Sequence, residues 1–166
     1  TSIRGEIEEQ ISVMQAVAKI VAEDPIFLDW SSKGHDKSLE PLIIKRLEEI
    51  ARLNNLSNVS VVDKNTAKQW NSRVGYYGEL TPDNAGWYYA YKDSGRVSSI
   101  SVYTSQNTGN TSLYVNHQQL RGNGLAGTAK SFDEISDMLA SFKIEESGFV
   151  YLVDNKGNAR MHKDFA

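Results

Sequence analysis

Two separated stretches of this chain spell nearly the same local structure. Val61-Val62-Asp63-Lys64-Asn65-Thr66-Ala67 and Leu152-Val153-Asp154-Asn155-Lys156-Gly157-Asn158-Ala159 each read as an apolar strand, a turn led by Asp, and the start of a second strand. Each follows an amphipathic helical pattern and a short polar connection. Asp side chains at such turns bond nearby backbone amides, so both copies predict hairpins. A hairpin cannot bury its apolar face alone, and the segment between the copies must supply the rest of a sheet.

The chain supplies it. Val97 to Thr104, Ser112 to Leu120 and Leu125 to Lys130 carry strand signals, separated by Asn107-Thr108-Gly109-Asn110 and Arg121-Gly122-Asn123-Gly124. Val59 to Asp63 and Ala67 to Trp70 form the first hairpin, and Phe149 to Asp154 with Ala159 to His162 the last. Arg73 to Gly86 reads as irregular, and Trp87-Tyr88-Tyr89-Ala90-Tyr91 as either a strand or a helical turn.

Upstream, Ile3, Ile7, Ile11, Met14, Val17 and Val21 recur at spacings of three and four. That is a helical stripe of about six turns, broken at Asp24-Pro25. Its seam serves either the chain's own sheet or a partner helix. Phe27, Leu28 and Trp30 read as a plug, and Ser31 to Asp36 as loop. A second helix begins near Ser38 as its cap, with Pro41 in the first turn. Ser131-Phe132-Asp133-Glu134 has the spacing of a capping box for a helix carrying Ile135, Met138, Leu139 and Phe142. The predicted class is α+β: an antiparallel sheet packed on a long N-terminal helix, with residues 1–56 helical and 57–166 forming the sheet.

Composition removes several functions. The 166 residues carry a net charge of −3 with 23% charged and 40% hydrophobic residues, and they present no basic field for nucleic acid. No cysteine is present, which excludes thiolate metal sites, a cysteine nucleophile and disulfides. His35, His117 and His162 are far apart, with no metal-binding spacing. No nucleophile and base pair by spacing, and Gly122-Asn123-Gly124-Leu125-Ala126-Gly127 opens a strand rather than joining a strand to a helix, which argues against a nucleotide site. The reading is a non-enzyme with no cofactor and no metal. No apolar run approaches the roughly 20 residues that cross a bilayer. Thr1-Ser2-Ile3-Arg4 lies inside a helical pattern, as an internal cut in a longer protein would.

Strand periodicity sorts the sheet's faces. In Ile100-Ser101-Val102-Tyr103 the apolar residues face the long helix, leaving Ser101 and Tyr103 opposite. In Leu113-Tyr114-Val115-Asn116 the same logic leaves Tyr114 and Asn116 on that second face. Trp87, Tyr89 and Tyr91 would wall it. Aromatic walls with a few polar tips suit a small ligand, although a second minicore uses the same residues. Arg73, Lys92 and Arg96 lie close in sequence; an Arg fork suits a ligand carboxylate, and solvated surface charge is the alternative.

The run Gly124-Leu125-Ala126-Gly127-Thr128-Ala129-Lys130-Ser131-Phe132-Asp133-Glu134-Ile135, then Glu146-Ser147-Gly148-Phe149-Val150-Tyr151-Leu152-Val153-Asp154-Asn155-Lys156-Gly157 and His162, resembles bacterial Cache sensor domains, which are PAS-like. Leu113-Tyr114-Val115-Asn116 resembles the preceding strand of that family, and Trp87 to Tyr91 its aromatic ligand-side motif; the resemblance spans residues 59 to 164. It implies a periplasmic, small-molecule-sensing domain of a membrane-anchored chemotaxis receptor that dimerises through its N-terminal helix. Input to a histidine kinase or diguanylate cyclase is the alternative output, and a ligand-free interaction module the alternative class. With the periodicity and the nearby arginines, the candidate ligand residues are Trp87, Tyr89, Tyr91, Tyr103, Tyr114, Asn116, Arg73 and Arg96. Family members that bind amino acids carry an Asp where this chain has Ala129, which leaves a carboxylate or other small metabolite as the expected ligand. The last hairpin, within 143–166, is either part of a compact single module or the opening of a second, incomplete one.

Overall fold

The computed structural model describes residues 3–104, 109, 111–131, 151–153 and 159–161. The chain runs α1 (Ile3–Ala22), α2 (Pro25–Ser32), α3 (Glu40–Leu53), β1 (Asn58–Asp63), β2 (Lys68–Asn71), β3 (Gly75–Glu79), α4 (Gly86–Asp93), β4 (Ser98–Thr104), β5 (Thr111–Gln118), β6 (Gly124–Ser131), β7 (Tyr151–Val153) and β8 (Ala159–Met161). The strands form one sheet in the order β3-β2-β1-β6-β5-β4-β7-β8. The first six are antiparallel, and the closing hairpin joins β4 through a parallel pairing with β7. This is the expected α+β class, a helix layer on an antiparallel sheet. The predicted helix over Ile135 to Phe142, and His162, lie outside the described residues.

α1 lies over β5 and β6. Its stripe of Ile11, Met14, Val17 and Val21 is buried with Val59, Val61, Val102, Leu113, Val115 and Ala126 from the strands. The helix therefore covers the chain's own sheet, as one of the two readings of its seam required. The approach is close: the Cβ that Gly124 lacks would collide with the Ala22 carbonyl. Thr128 Oγ1 in β6 lies 3.3 Å from the Met14 carbonyl and 3.2 Å from the Val115 carbonyl, which share its single donor proton. Val13 and Ile20 remain on the outer side of α1, 39% and 66% exposed.

Three local expectations are corrected. Phe27, Leu28 and Trp30 lie on a helix, because Pro25 suits its first turn and the Asp24 carboxylate caps the Ile26 amide at 3.0 Å. Ser38 does not cap α3: its amide and hydroxyl both donate to Asp36 Oδ1, and the helix begins at Glu40. The stretch after Arg73 contains an edge strand, β3, which turns back at Gly75 with φ +80°. Its outward Tyr76, Tyr77 and Glu79 lack the apolar alternation that marks a half-buried strand.

Beside β1 and β2 sits an aromatic group in which Trp30 and Trp70 meet edge to face at 4.9 Å, with Phe27 and His35 against them. His35 Nε2 lies 2.9 Å from Asp63 Oδ2, and both side chains are largely buried. Asp63 Oδ1 accepts from the Asn65 amide at 2.9 Å, the turn bond that its position predicts.

Candidate functional site

The face of the sheet opposite α1 holds a cavity of about 970 Å³. Its floor comes from alternate residues of five strands: Asn58 and Ser60, Gln69 and Asn71, Ser99 and Ser101, Tyr114 and Asn116, Gly127 and Ala129. The partners of these residues one position along, such as Val59, Val61, Leu113 and Val115, are the ones that bury against α1. The strand period of two therefore makes one face core and the other site. Walls rise from the β2–β3 turn with Arg73 and Val74, from Tyr77 of β3, from the loop 80–85, and from α4 with Trp87, Ala90 and Tyr91.

Seven of the eight residues singled out from sequence line this one cavity: Trp87, Tyr91, Tyr103, Tyr114, Asn116, Arg73 and Arg96. Tyr89 does not. On a strand, residues 87, 89 and 91 would share a face. The segment is instead a helix, α4, and there 87, 90 and 91 point together. Tyr89 turns away, packs against Tyr88 with ring centroids 4.9 Å apart, and donates its hydroxyl to the Leu80 carbonyl at 2.6 Å.

Several interactions hold the walls. Below α4, Val62, Leu80, Ala85, Tyr88, Tyr91 and Leu125 form a second apolar cluster that closes one end of the cavity. Gln118, 1% exposed, donates from Nε2 to the carbonyls of Tyr91 at 3.1 Å and Arg96 at 2.9 Å. Tyr91 donates its hydroxyl to the Val97 carbonyl at 2.7 Å. The loop that carries Arg96 is thus tied to β5 and α4. Lys64 completes the network, donating to Gln118 Oε1 at 3.1 Å and to the Gln119 carbonyl. Burial and the neighbouring charge of Lys92 hold the Lys64 ammonium below its ordinary pKa.

The electrostatics of the cavity are one-sided. Burial raises the pKa of the Tyr91 and Tyr114 hydroxyls; the Arg96 guanidinium opposes this at Tyr91, and a hydrogen bond from Ser112 with the Arg73 charge opposes it at Tyr114. Both arginines therefore act on phenols that line the cavity. Asp83, in an exposed loop, is the carboxylate among the lining residues. Tyr103 and Tyr114 meet edge to face at 6.2 Å and form one wall of rings. Among the described residues no cluster of three or more His, Asp or Glu could hold a metal ion. No helix among them is long and apolar enough to cross a membrane. A smaller cavity of about 240 Å³, beside Asp63 and Phe27, contains none of the residues singled out from sequence.

Sequence reasoning missed Asn58, Ser60, Gln69 and Asn71. The signal was there: both strands of the first hairpin place polar residues two apart, on the face away from Val59, Val61 and Trp70.

No family model matches the sequence. The fold, by contrast, is that of Cache-type ligand-binding sensor domains of chemoreceptors and histidine kinases. The sensory domain of the Campylobacter jejuni chemoreceptor Tlp3 with isoleucine bound matches with a TM-score of 0.63 at 14% identity, over 95% of this chain and 65% of that one. The Vibrio cholerae histidine kinase DctB sensor domain matches with a TM-score of 0.58 at 12% identity, over 81% of this chain and 58% of that one. The ligand-binding domain of the Pseudomonas aeruginosa amino-acid chemoreceptor PctC, in complex with GABA, matches with a TM-score of 0.55 at 17% identity, over 96% and 68%. In another Tlp3 ligand-binding domain the matching region is 59% of the chain, so this chain spans about three fifths of that domain.

Proposed function

We propose that this chain is the periplasmic ligand-sensing domain of a membrane-anchored chemotaxis receptor, with a small metabolite bound in the cavity opposite α1. The observation that carries the proposal is the convergence of Trp87, Tyr91, Tyr103, Tyr114 and Asn116 on one cavity with Arg73 and Arg96 at its edge. Aromatic enclosure supplies apolar contact, and the guanidinium forks suit a carboxylate through charge-assisted hydrogen bonds. The fold shared with sensory domains of known chemoreceptors supports the same reading. The likeness to a kinase sensor domain supports the second output, input to a histidine kinase.

The signalling route follows from the thickness of the sheet. Gly127 and Ala129 of β6 face the cavity, while Thr128 between them bonds the Met14 carbonyl of α1. One strand therefore separates ligand from helix. A ligand that draws the cavity walls together changes the seat of α1, and it shifts the output only by the difference of its affinity for the two arrangements. Val13 and Ile20, on the outer side of α1, provide the surface on which two copies would meet in a homodimer.

The test is a thermal-shift screen of the 166-residue domain against organic acids, amino acids, amines and sugars. At 100 times its Kd a ligand stabilises by about 2.7 kcal/mol, well within detection. Trp87→Ala should abolish the shift given by any hit and the response of the parent receptor. A broad panel with no stabilising compound, together with an unchanged receptor response in Trp87→Ala, would refute the assignment.

A further inference from the structure

The floor of the cavity contains a polar row that the register of the sheet assembles. Asn71 pairs with Ser60, Ser60 with Gly127, Gly127 with Asn116, and Asn116 with Ser99. Five adjacent strands thus place amide, hydroxyl, gap, amide and hydroxyl in one line across the sheet. At about 4.8 Å per strand the line is roughly 19 Å long, with the backbones of Ser60 and Asn116 roughly 10 Å apart on either side of Gly127. Gly127 lets the neighbouring polar side chains lean over it: a Cβ there would stand 2.5 Å from Asn116 Oδ1 and 3.1 Å from Ser60 Oγ.

Apart from Asn71, whose Oδ1 accepts from the Arg73 amide at 3.0 Å and the Val74 amide at 2.9 Å, the polar groups of the floor have few partners within the protein. Gln69 and Asn116 are 8% and 9% exposed. Gln69 uses its Oε1 to accept from Asn71 Nδ2 at 3.0 Å, and its Nε2 has no partner among the described residues. The amide of Asn116 reaches Ser99 Oγ only at 3.5 Å, and Ser60 Oγ makes no hydrogen bond among the described residues. Ser60, Gln69 and Asn116 line the cavity, so a molecule bound there can pair with their free donors and acceptors.

We infer that the ligand is a hydroxylated carboxylate of the sugar-acid class; this rests on the ligand-sensing reading above. Amides and hydroxyls both donate and accept, which matches a chain or ring of hydroxyls, each of which does the same. A ligand ammonium needs acceptors concentrated at one point, and the floor offers no carboxylate. The two arginines supply the site for the acid group, and the rings of Trp87 and the tyrosines cover the C–H faces of the ligand. A volume of about 970 Å³ accommodates a body of that size.

The experiment compares gluconate and glucuronate with glucose, hexanoate and glutamate, by thermal shift and calorimetry on the 166-residue domain. The sugar acids should bind at least about tenfold more tightly than glucose, hexanoate or glutamate, and Asn116→Leu should weaken gluconate by about tenfold, the value of one hydrogen bond. Equal or tighter binding of glutamate or hexanoate overturns the sugar-acid inference and leaves the sensing cavity standing; equal binding of glucose overturns the role of the carboxylate. Silence from every one of these probes and from the broader panel overturns both. Because the five compounds are compared on the unaltered domain, the result does not depend on the variant folding.

Discussion

Replacing Gly124 with Ala tests the contact through which α1 sits on the sheet. The added Cβ would fall inside the Ala22 carbonyl oxygen and 2.9 Å from its carbon. Ordinary carbon contacts are 3.5–4.0 Å, so the end of α1 must retreat by roughly 1 Å or more. Both sides of the clash are backbone, and neither can rotate away. Val21 and Ala22, 2% and 0% exposed, would be pulled out of register with their partners. Overpacking of this kind costs about 1–3 kcal/mol, and backbone on both sides places the cost near about 3 kcal/mol. For a domain of this size that lowers Tm by roughly 6–12 °C. Gly127→Ala is the control. Its new Cβ meets chiefly the Asn116 side-chain oxygen, which can rotate into the cavity, so stability should fall by less than about 1 kcal/mol. Urea unfolding of the two variants measures both. A Gly124→Ala protein within about 0.5 kcal/mol of the parent, or a Gly127→Ala protein as damaged as it, would refute the close-approach argument.

The buried Tyr88 hydroxyl has no hydrogen-bond partner among the described residues, so Tyr88→Phe should leave stability at neutral pH unchanged or raise it by up to about 1 kcal/mol in urea unfolding. Burial pushes the Tyr88 phenol up from 10 to about 12, and burial raises Tyr91 and Tyr114 as well. The folded state therefore holds protons that the unfolded state releases. The resulting stability is complete below about pH 10 and is lost as pH rises through 12 for Tyr88. Lys64, depressed by burial, works the other way as pH approaches its ordinary 10.5, but one lysine opposes three tyrosines. Urea midpoints measured from pH 9 to 12 should fall, and less steeply in Tyr88→Phe. His35→Phe removes the partner of the buried Asp63 carboxylate and should cost about 1.5–3 kcal/mol, whereas a surface change such as Lys33→Gln should be silent.

Much of the architecture follows from periodicity displayed within short windows of the chain. The three-and-four spacing of Ile11, Met14, Val17 and Val21 places one side of α1 in the core, and the alternation in Ile100 to Tyr103 and Leu113 to Asn116 assigns each residue to a face. A side chain's direction depends on its own backbone state, and that state is written locally in residue pattern. For this reason Tyr103, Tyr114 and Asn116 could be placed together, whereas Tyr89, in a segment that reads as either strand or helical turn, had no face fixed by the sequence. β3 and α2 were hidden because an exposed edge strand and an eight-residue helix carry too little apolar pattern to announce themselves. Register belongs to the tertiary structure. Whether Ser60 stands beside Gly127, and Gly127 beside Asn116, depends on how valines, the Trp70 group and α1 pack across residues far apart in sequence. The cavity floor is therefore a property of neighbours, fixed by packing across strands, while the choice of face was already settled within each strand.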